Sequence, residues 1–387
     1  MAFADLIPLM AVNVLDVARE NAVMPRAVTN NYSTEVAMKG EKIVINVMND
    51  FVATEIAPSP NIPAANNAVD PNKADLELNQ WFGSSFALTE KQLAEIVDGG
   101  RMEALSAATR AVVNTIDTSV LGLYRYVYNT VGVAGTTPFA ADTVPAKEAN
   151  RLLSTGRAPK DRDRHMILDE FGYYEATDLP NFQRVDYMGA DDVMRDATVP
   201  YTLGYNWWED QNVPTHTSTA AGAYAVDLAA TAGAQSLVID DGAGALPTAL
   251  APGDLFTIAG DTQQYSVVSY TAGTNESTIE ISPPLAEDTT DSAVITNITT
   301  AAGTPHVANL AFHRSAFHIA VRPVGDIAIG ENAGREMIYP SQTISDPISG
   351  LNLTLKFFQG YHQTLAEVSA LWGVTCPRPG FAVRIFG

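Results

Sequence analysis

Apolar residues recur at helical spacing twice in the first third of the chain, and at strand-like spacing through much of the rest. Leu9, Val12, Leu15, Val17 and Val23 repeat loosely at helical steps, which predicts a short leading helix over 9–24. Pro25 is expected to stop it, since proline brings no N–H and clashes with the preceding turn. Leu105, Ala108, Val112, Ile116, Val120, Leu123 and Val127 keep the helical period more strictly, with no proline before Pro138. One helix over about 101–129 is expected there, a rod of roughly 43 Å at 1.5 Å per residue. Ahead of it, TEKQLAEIVD at 89–98 opens on a threonine cap and ends at Gly99-Gly100, which predicts a further helix.

Strand signals begin with the alternation of Lys42 to Val47 after a Lys39-Gly40 turn, and return at Leu76 to Leu78 and Trp81 to Phe86. Between them, residues 57–75 hold four prolines and six asparagines or aspartates with few large apolar residues, so a long hairpin excursion is expected. From 140 to 216 the helix pattern AKEANRLLSTG and the strand MILD indicate an α/β layer. From about 218 to 300, SLVID, PGDLFTIAG, QYSVVSY, STIEIS and SAVITNI are short strands punctuated by glycine, proline and aspartate, as in a small antiparallel barrel or sandwich. Beyond it, ANLAFHRSAFHIAVRPV is helical or strand-like. LNLTLKF alternates with Leu351, Leu353, Leu355 and Phe357 on one face, and FAVRIF closes the chain as a strand. The fold class is α+β.

Charge divides this picture further. The chain of 387 residues carries 44 acidic against 23 basic side chains, a formal net charge of -21. No lysine or arginine occurs between Arg195 and Arg314, where thirteen acidic residues run from Asp196 to Asp291. Duplex DNA is held mainly by cations that displace its counterions, so this stretch is suited to avoid nucleic acid and anionic membranes. Its lack of cations also marks it as a module of its own. Asp5 and Asp16 interrupt the apolar amino terminus, which has no basic leader, so neither a signal peptide nor a membrane span is expected and synthesis is assigned to the cytosol. The single cysteine, Cys376, lies in the apolar run ALWGVTCP and reads as a buried, inert thiol.

Candidate chemistry adds little. GEK at 40–42 lacks the upstream glycine of a phosphate loop, and GAGALP lacks the third glycine of a dinucleotide site. The six histidines are scattered, and the step from His313 to His318 would place the pair on opposite faces of a strand. DRDRH could offer Asp163 and His165 to a metal, but its alternating charges read as a solvated turn. The acidic module has no spaced Asp-x-Asp-x-Asp loop for calcium. The expectation is therefore no catalytic, cofactor-binding or metal-binding residue, and no enzyme.

Several runs, in order, resemble the major capsid proteins of tailed double-stranded DNA bacteriophages. The likeness is to the Hong Kong 97 type fold, and within it to the branch with an inserted β-domain found in short-tailed Salmonella phages. ARENAVMPRAVTNNY from Ala18 to Tyr32, with EVAMKGEKIVI after it, resembles that branch's amino-terminal arm. LNQWFGSSFALTEKQL at 78–93 resembles the return of its extended loop, and IDTSVLGLYRYVYNTVGVAGTTPF at 116–139 the end of its spine helix with a glycine-rich exit. LGYNWWEDQNVPTHT at 203–217 is similar to the segment before the inserted domain, and ALWGVTCPRPGFAVRI at 370–385 to the closing strands. The loop tip is richer in proline and asparagine than the family pattern, and the inserted domain matches by position and β pattern rather than by residues.

The resemblance implies an amino-terminal arm and first strand at 1–50, an extended loop at 51–86, and a peripheral domain with the spine helix at 87–139. It implies an axial domain at 140–218 and 301–335, an inserted acidic β-domain at 219–300, and closing β-segments at 336–387. It further implies a coat protein that assembles into hexamers and pentamers of an icosahedral shell around double-stranded DNA, without specific DNA binding. The partners implied are further copies of itself, a scaffolding protein and a portal protein, with no membrane. The locations implied are the virion and, during assembly, the host cytoplasm. Candidate assembly contacts are Leu9, Val12, Leu15, Arg19 and Arg26 of the arm, with Lys73 and Trp81 of the loop. Lys73 is the only lysine between Lys42 and Lys91, and reads as a solvated loop charge rather than a cross-linking group. The alternative reading is an acidic, β-rich surface or adhesion protein.

Overall fold

The computed structural model describes residues 3–30, 32, 40–47, 53, 72–89, 103–184, 192–242, 245–298, 303–323, 338–359 and 362–387. The expected helix at 89–98 lies outside them except for Thr89, and so does most of the proline-rich excursion. The helices used below are α1 (Phe3–Asn21), α2 (Met24–Ala27), α3 (Glu103–Leu121), α4 (Val144–Thr155) and α5 (Glu170–Asp178). The first seven strands are β1 (Lys42–Val47), β2 (Asn72–Glu77), β3 (Gln80–Thr89), β4 (Thr130–Val131), β5 (Arg164–Leu168), β6 (Asn206–Glu209) and β7 (Thr215–Thr217). There follow β8 (Tyr224–Val226), β9 (Ser236–Asp240), β10 (Leu255–Ile258), β11 (Gln264–Ala272), β12 (Ser277–Ser282) and β13 (Val294–Asn297). The last six are β14 (Pro305–His313), β15 (His318–Arg322), β16 (Ile338–Ser345), β17 (Asn352–Gln359), β18 (Gln363–Thr375) and β19 (Ala382–Phe386).

Three hydrophobic cores organise these elements. In the first, a sheet of β15, β18, β17 and β16, with β3 on the free side of β18, is covered by α3 and α1. Val112, Ile116 and Val120 of α3 meet Leu353, Leu355, Phe357 and Trp372 in that core. The alternation over 351–357 is therefore seen, and its second face is covered as well, since Asn352 and Thr354 are also buried. In the second core, α4 and α5 pack on a sheet ordered β4-β19-β14-β5-β6. In the third, β10-β11-β12-β9-β8-β13 close into a barrel around Val226, Leu237, Ile239, Phe256, Tyr265 and Ile279. Every strand expected between 236 and 298 is present, and β8 completes the closure. ANLAFHRSAFHIAVRPV resolves into two strands, β14 and β15, joined by a single 3-10 turn over Arg314–Ala316.

Three helical expectations need correction. The leading helix ends at Asn21, short of Pro25, which instead opens the separate four-residue α2 in its first turn, where its missing N–H costs nothing. The leading helix spans Phe3–Asn21 and buries Met10, Ala11, Val14, Val17 and Ala18, so that of the expected stripe Val17 is buried, Leu15 and Val23 are partly buried on the core, and Val12 is out of it. Val12 is 55% exposed. The spine is shorter than expected: α3 ends at Leu121 and continues only as a 3-10 turn over Gly122–Tyr126, leaving roughly 28 Å of α-helix. Gly122 weakens the helix at that point. Beyond it the Ser266 hydroxyl donates to Arg125 O at 2.5 Å and the Ser282 hydroxyl to Tyr126 O at 2.8 Å, which ties the 3-10 exit to the barrel.

DRDRH is not a solvated turn throughout. Arg164 is 2% exposed, with its guanidinium donating to the carbonyls of Pro159 and Ala158 and to Asn150, and His165 is buried beside it. Both side chains open β5, whose five residues are all buried.

Candidate assembly surfaces and the barrel junction

The arm candidates sit against their own subunit. The structure places Leu9 within α1, where its side chain is outside the description, and leaves Val12 exposed. Leu15 packs partly buried on the first core. Arg19 donates to Asp346 through Nε and Nη2 at 3.0 and 2.9 Å, a two-point ion pair whose carboxylate is 2% exposed. Burial would raise the Asp346 carboxyl, but donation from Ser349 and Arg19 outweighs it and holds the group below the usual range. Arg26 donates to the Arg19 carbonyl. Leu15, Arg19 and Arg26 are thus brought together as a clamp that docks α1 and α2 on the body.

Lys73 and Trp81 lie apart from that clamp. β1 and β2 pair antiparallel, Lys42 opposite Glu77 through Val47 opposite Asn72, which forms the base of the expected hairpin. Leu76 and Leu78 seat this base on Ala320 and Leu371. It approaches so closely that a Cβ at Gly373 would lie 2.2 Å from the Glu77 carbonyl oxygen, so only glycine fits there. Lys73 is exposed on β2 and lines a cleft of about 1000 Å³ between hairpin, barrel and closing turn, together with Glu280, Ser282, Cys376 and Pro377. Cys376 is partly buried, and burial pushes its thiol well above the usual range, so it carries no thiolate at neutral pH. Trp81 is 51% exposed on β3 and Phe82 beside it 52%. Among the described residues β3 is hydrogen-bonded as a strand only to β18.

A buried polar site that no sequence pattern signals lies where barrel and second sheet meet. The chain leaves that sheet at β7 and re-enters at β14, and these two strands pair with each other, Thr217 opposite Pro305 and His216 opposite His306. Exit and return are therefore adjacent. His216 Nε2–H donates to Asp254 Oδ1 at 3.0 Å, and its Nδ1 shares a hydrogen bond of 3.0 Å with the Tyr124 hydroxyl. Arg384 of β19 is fully buried, donating to Gly253 O at 2.6 Å and to Ser266 Oγ at 2.8 Å, with its guanidinium 5.0 Å over the Tyr124 ring. Burial pushes Arg384 down to about 9, against the opposing pull of Tyr124 and Asp254, which leaves it protonated at neutral pH. Burial likewise pushes His306 down to about 4, so it is neutral there. The seam joins the 3-10 turn after α3, the second sheet and the barrel through charge-assisted hydrogen bonds.

The two histidines weighed as a metal pair are separated. His313 Nε2 meets Asp161 at 3.1 Å, whereas His318 meets Tyr32 through Nδ1. Among the described residues no group of three or more histidine, cysteine, aspartate or glutamate side chains is arranged to hold a metal ion. Among the same residues, no helix is long and apolar enough to cross a membrane.

No family profile and no curated protein matches the chain. Solved structures similar to it include one from Mycobacterium phage Che8, at 12% identity over 94% of this chain and 91% of that one, with a TM-score of 0.47. A capsid structure of the cyanophage P-SCSP1u has 12% identity over 94% and 88%, with a TM-score of 0.48. A virus-like particle from Pyrococcus furiosus has 7% identity over 98% of both chains, with a TM-score of 0.42. All three scores are below 0.5, so the functional reading rests on the chain's own residues and geometry.

Proposed function

We propose that this chain is a major capsid protein of the Hong Kong 97 type with an inserted β-domain, self-assembling into the hexamers and pentamers of a phage head around double-stranded DNA. The observation that carries the reading is the order in which the runs resembling that family fall on the elements. ARENAVMPRAV covers the end of α1 and all of α2, and IDTSVLGLYRYV covers the end of α3 and its 3-10 exit. LGYNWWEDQNVPTHT ends at β7, where the chain leaves for the barrel, and ALWGVTCPRPGFAVRI spans the end of β18, a tight turn and β19.

Two physical features suit the role. Trp81 and Phe82, exposed on β3, and the hairpin based on β1 and β2 provide surface for contact with further copies. Many modest contacts of this kind add through avidity. The barrel carries no lysine or arginine, so it has nothing with which to release phosphate counterions, as suits a shell that must fill and empty without adhesion to DNA. A scaffolding protein and a portal belong to the same reading, as does a place in the virion after assembly in the host cytoplasm. Sedimentation velocity of the purified chain tests it: capsomers or shells are expected, and a concentration-independent monomer alone and with scaffold would remove it.

A further inference from the structure

β5 and β6 run parallel from one end of the second sheet to the other, and the two ends differ in charge. The turn that leads into β5 presents Arg157, Lys160 and Arg162 to solvent. Buried Arg164 fixes that turn, donating through Nε to Pro159 O at 2.8 Å and through Nη2 to Ala158 O at 2.7 Å. Of the turn's two acids, Asp161 is engaged with its own subunit, accepting from Asp163 N at 3.0 Å and meeting His313 Nε2 at 3.1 Å, so Asp163 is left to offset three cations.

At the other end β5 passes into α5 and β6 ends at Glu209, and no lysine or arginine lies between Arg164 and Arg184 or between Arg195 and Arg314. Phe171 and Tyr174, one helical turn apart on the outer face of α5, are 71% and 52% exposed. Tyr173 backs Tyr174 edge-on at 5.8 Å, and the Tyr174 hydroxyl, raised above its ordinary value by the charge of Glu209, donates to that carboxylate. Glu170, Glu175 and Glu209 are exposed around the two rings. The result is an aromatic pair rimmed by carboxylates.

These ends cannot meet within one chain, because the five residues of β5 hold them roughly 17 Å apart and facing opposite ways. Guanidinium groups stack on exposed rings and fork onto carboxylates, so the basic turn has the chemistry that the aromatic end calls for. Arg162 is already held over the Tyr201 ring at 5.6 Å, which orders it at the surface. Contact between two unlike surfaces is heterologous: a pair of copies leaves one end of each unfilled, and further copies add until a ring closes.

We propose that copies of this chain join head to tail, with the turn carrying Arg157, Lys160 and Arg162 of one seated on Phe171, Tyr174 and Glu209 of the next. The proposal rests on the capsid reading for the rings it closes, and adds to it which two surfaces of the subunit meet.

Charge reversal at either end of the full-length chain is the test, read by sedimentation velocity and electron microscopy. Lys160→Glu with Arg162→Glu, and separately Glu175→Lys with Glu209→Lys, should each keep the parent melt and need roughly tenfold or more protein to form rings. Mixed in equal amounts, the two variants should assemble again, but only into even-numbered rings, because the two kinds of subunit must alternate. Sixfold rings without fivefold ones are expected. A chain with all four changes should assemble by itself. Lys160→Gln with Arg162→Gln, which asks less of the fold, should weaken rings in the same direction, and parental assembly of that pair counts against the contact. Reversal variants that assemble like the parent, or a mixture that recovers nothing while the parent assembles, overturn the proposal and leave the capsid reading standing. Equal loss from Glu287→Lys with Asp291→Lys, exposed on the barrel, overturns it in the same way. A parent that stays monomeric at every concentration and with scaffold removes both.

Discussion

Arg384→Met is the perturbation that tests whether the barrel is fastened to the body through the buried seam. Methionine keeps much of the arginine stem but donates nothing, so Gly253 O loses its charged donor at 2.6 Å and Ser266 Oγ loses one at 2.8 Å. A hydrogen bond to a charged group contributes roughly 1.5–3 kcal/mol. Ser266 still has the Arg125 carbonyl to donate to, so the larger loss falls on Gly253. Removing a buried charge recovers part of its desolvation cost. The net expectation is about 3 kcal/mol. At roughly 2–4 °C per kcal/mol for a chain of this order of size, the midpoint should fall by at least 5 °C. Differential scanning calorimetry reads both the fall and its character, because a weakened seam should let the barrel melt as a separate transition. Arg384→Lys, which keeps the charge but loses the two-pronged geometry, should lie between parent and methionine variant. A methionine variant that melts within a degree of the parent, as one transition, would refute the seam as the fastening.

Four further outcomes are expected. Ile116→Asp places an unpaired carboxylate in the first core and should cost several kcal/mol, read as a lowered denaturation midpoint; a matching melt would mean that its face of α3 is not the buried one. Deleting residues 1–25 should impair folding as well as assembly, because Met10, Val14, Ala18 and Met24 belong to the first core, whereas Val12→Ala should change stability by less than about 0.5 kcal/mol. His165 and His306 are both held near 4 by burial, below the unfolded value of roughly 6.5, so their contribution is complete above pH 6.5 and is lost as pH falls toward 4. Melting midpoints should fall across that window, less steeply in a His165→Gln, His306→Gln double variant, and an equal slope in both would oppose this assignment. Residues 219–300 expressed alone should give a cooperative melt with β-type circular dichroism and no shift of duplex DNA at low salt; a disordered spectrum would count against an autonomous unit.

Local pattern carried most of the elements, because burial on one face leaves a period that a single chain displays. Lys42–Val47, Ser236–Asp240 and Ser277–Ser282 have the ends their alternation suggests. What sequence could not carry was competition between distant groups. Nothing near Gly122 says that Ser266 and Ser282 will donate to the carbonyls of Arg125 and Tyr126 and tie this exit to the barrel. The choice of Val14 over Val12 as the docked face of α1 depends on a partner surface far along the chain. Arg164, Arg384 and His216 have the composition of surface residues, and their burial follows from acceptors on β11, the 158–159 turn and Asp254 that only the fold brings near.

The central claim is that copies of this chain build a shell, and electron microscopy of the expressed protein, alone and with a scaffolding partner, addresses it most directly. The account expects closed particles or ring-shaped capsomers of five and six subunits, with Trp81 and Phe82 of β3 and the hairpin at contacts between copies. Fields of discrete monomers or dimers under both conditions would contradict it and favour an acidic, β-rich binding protein instead.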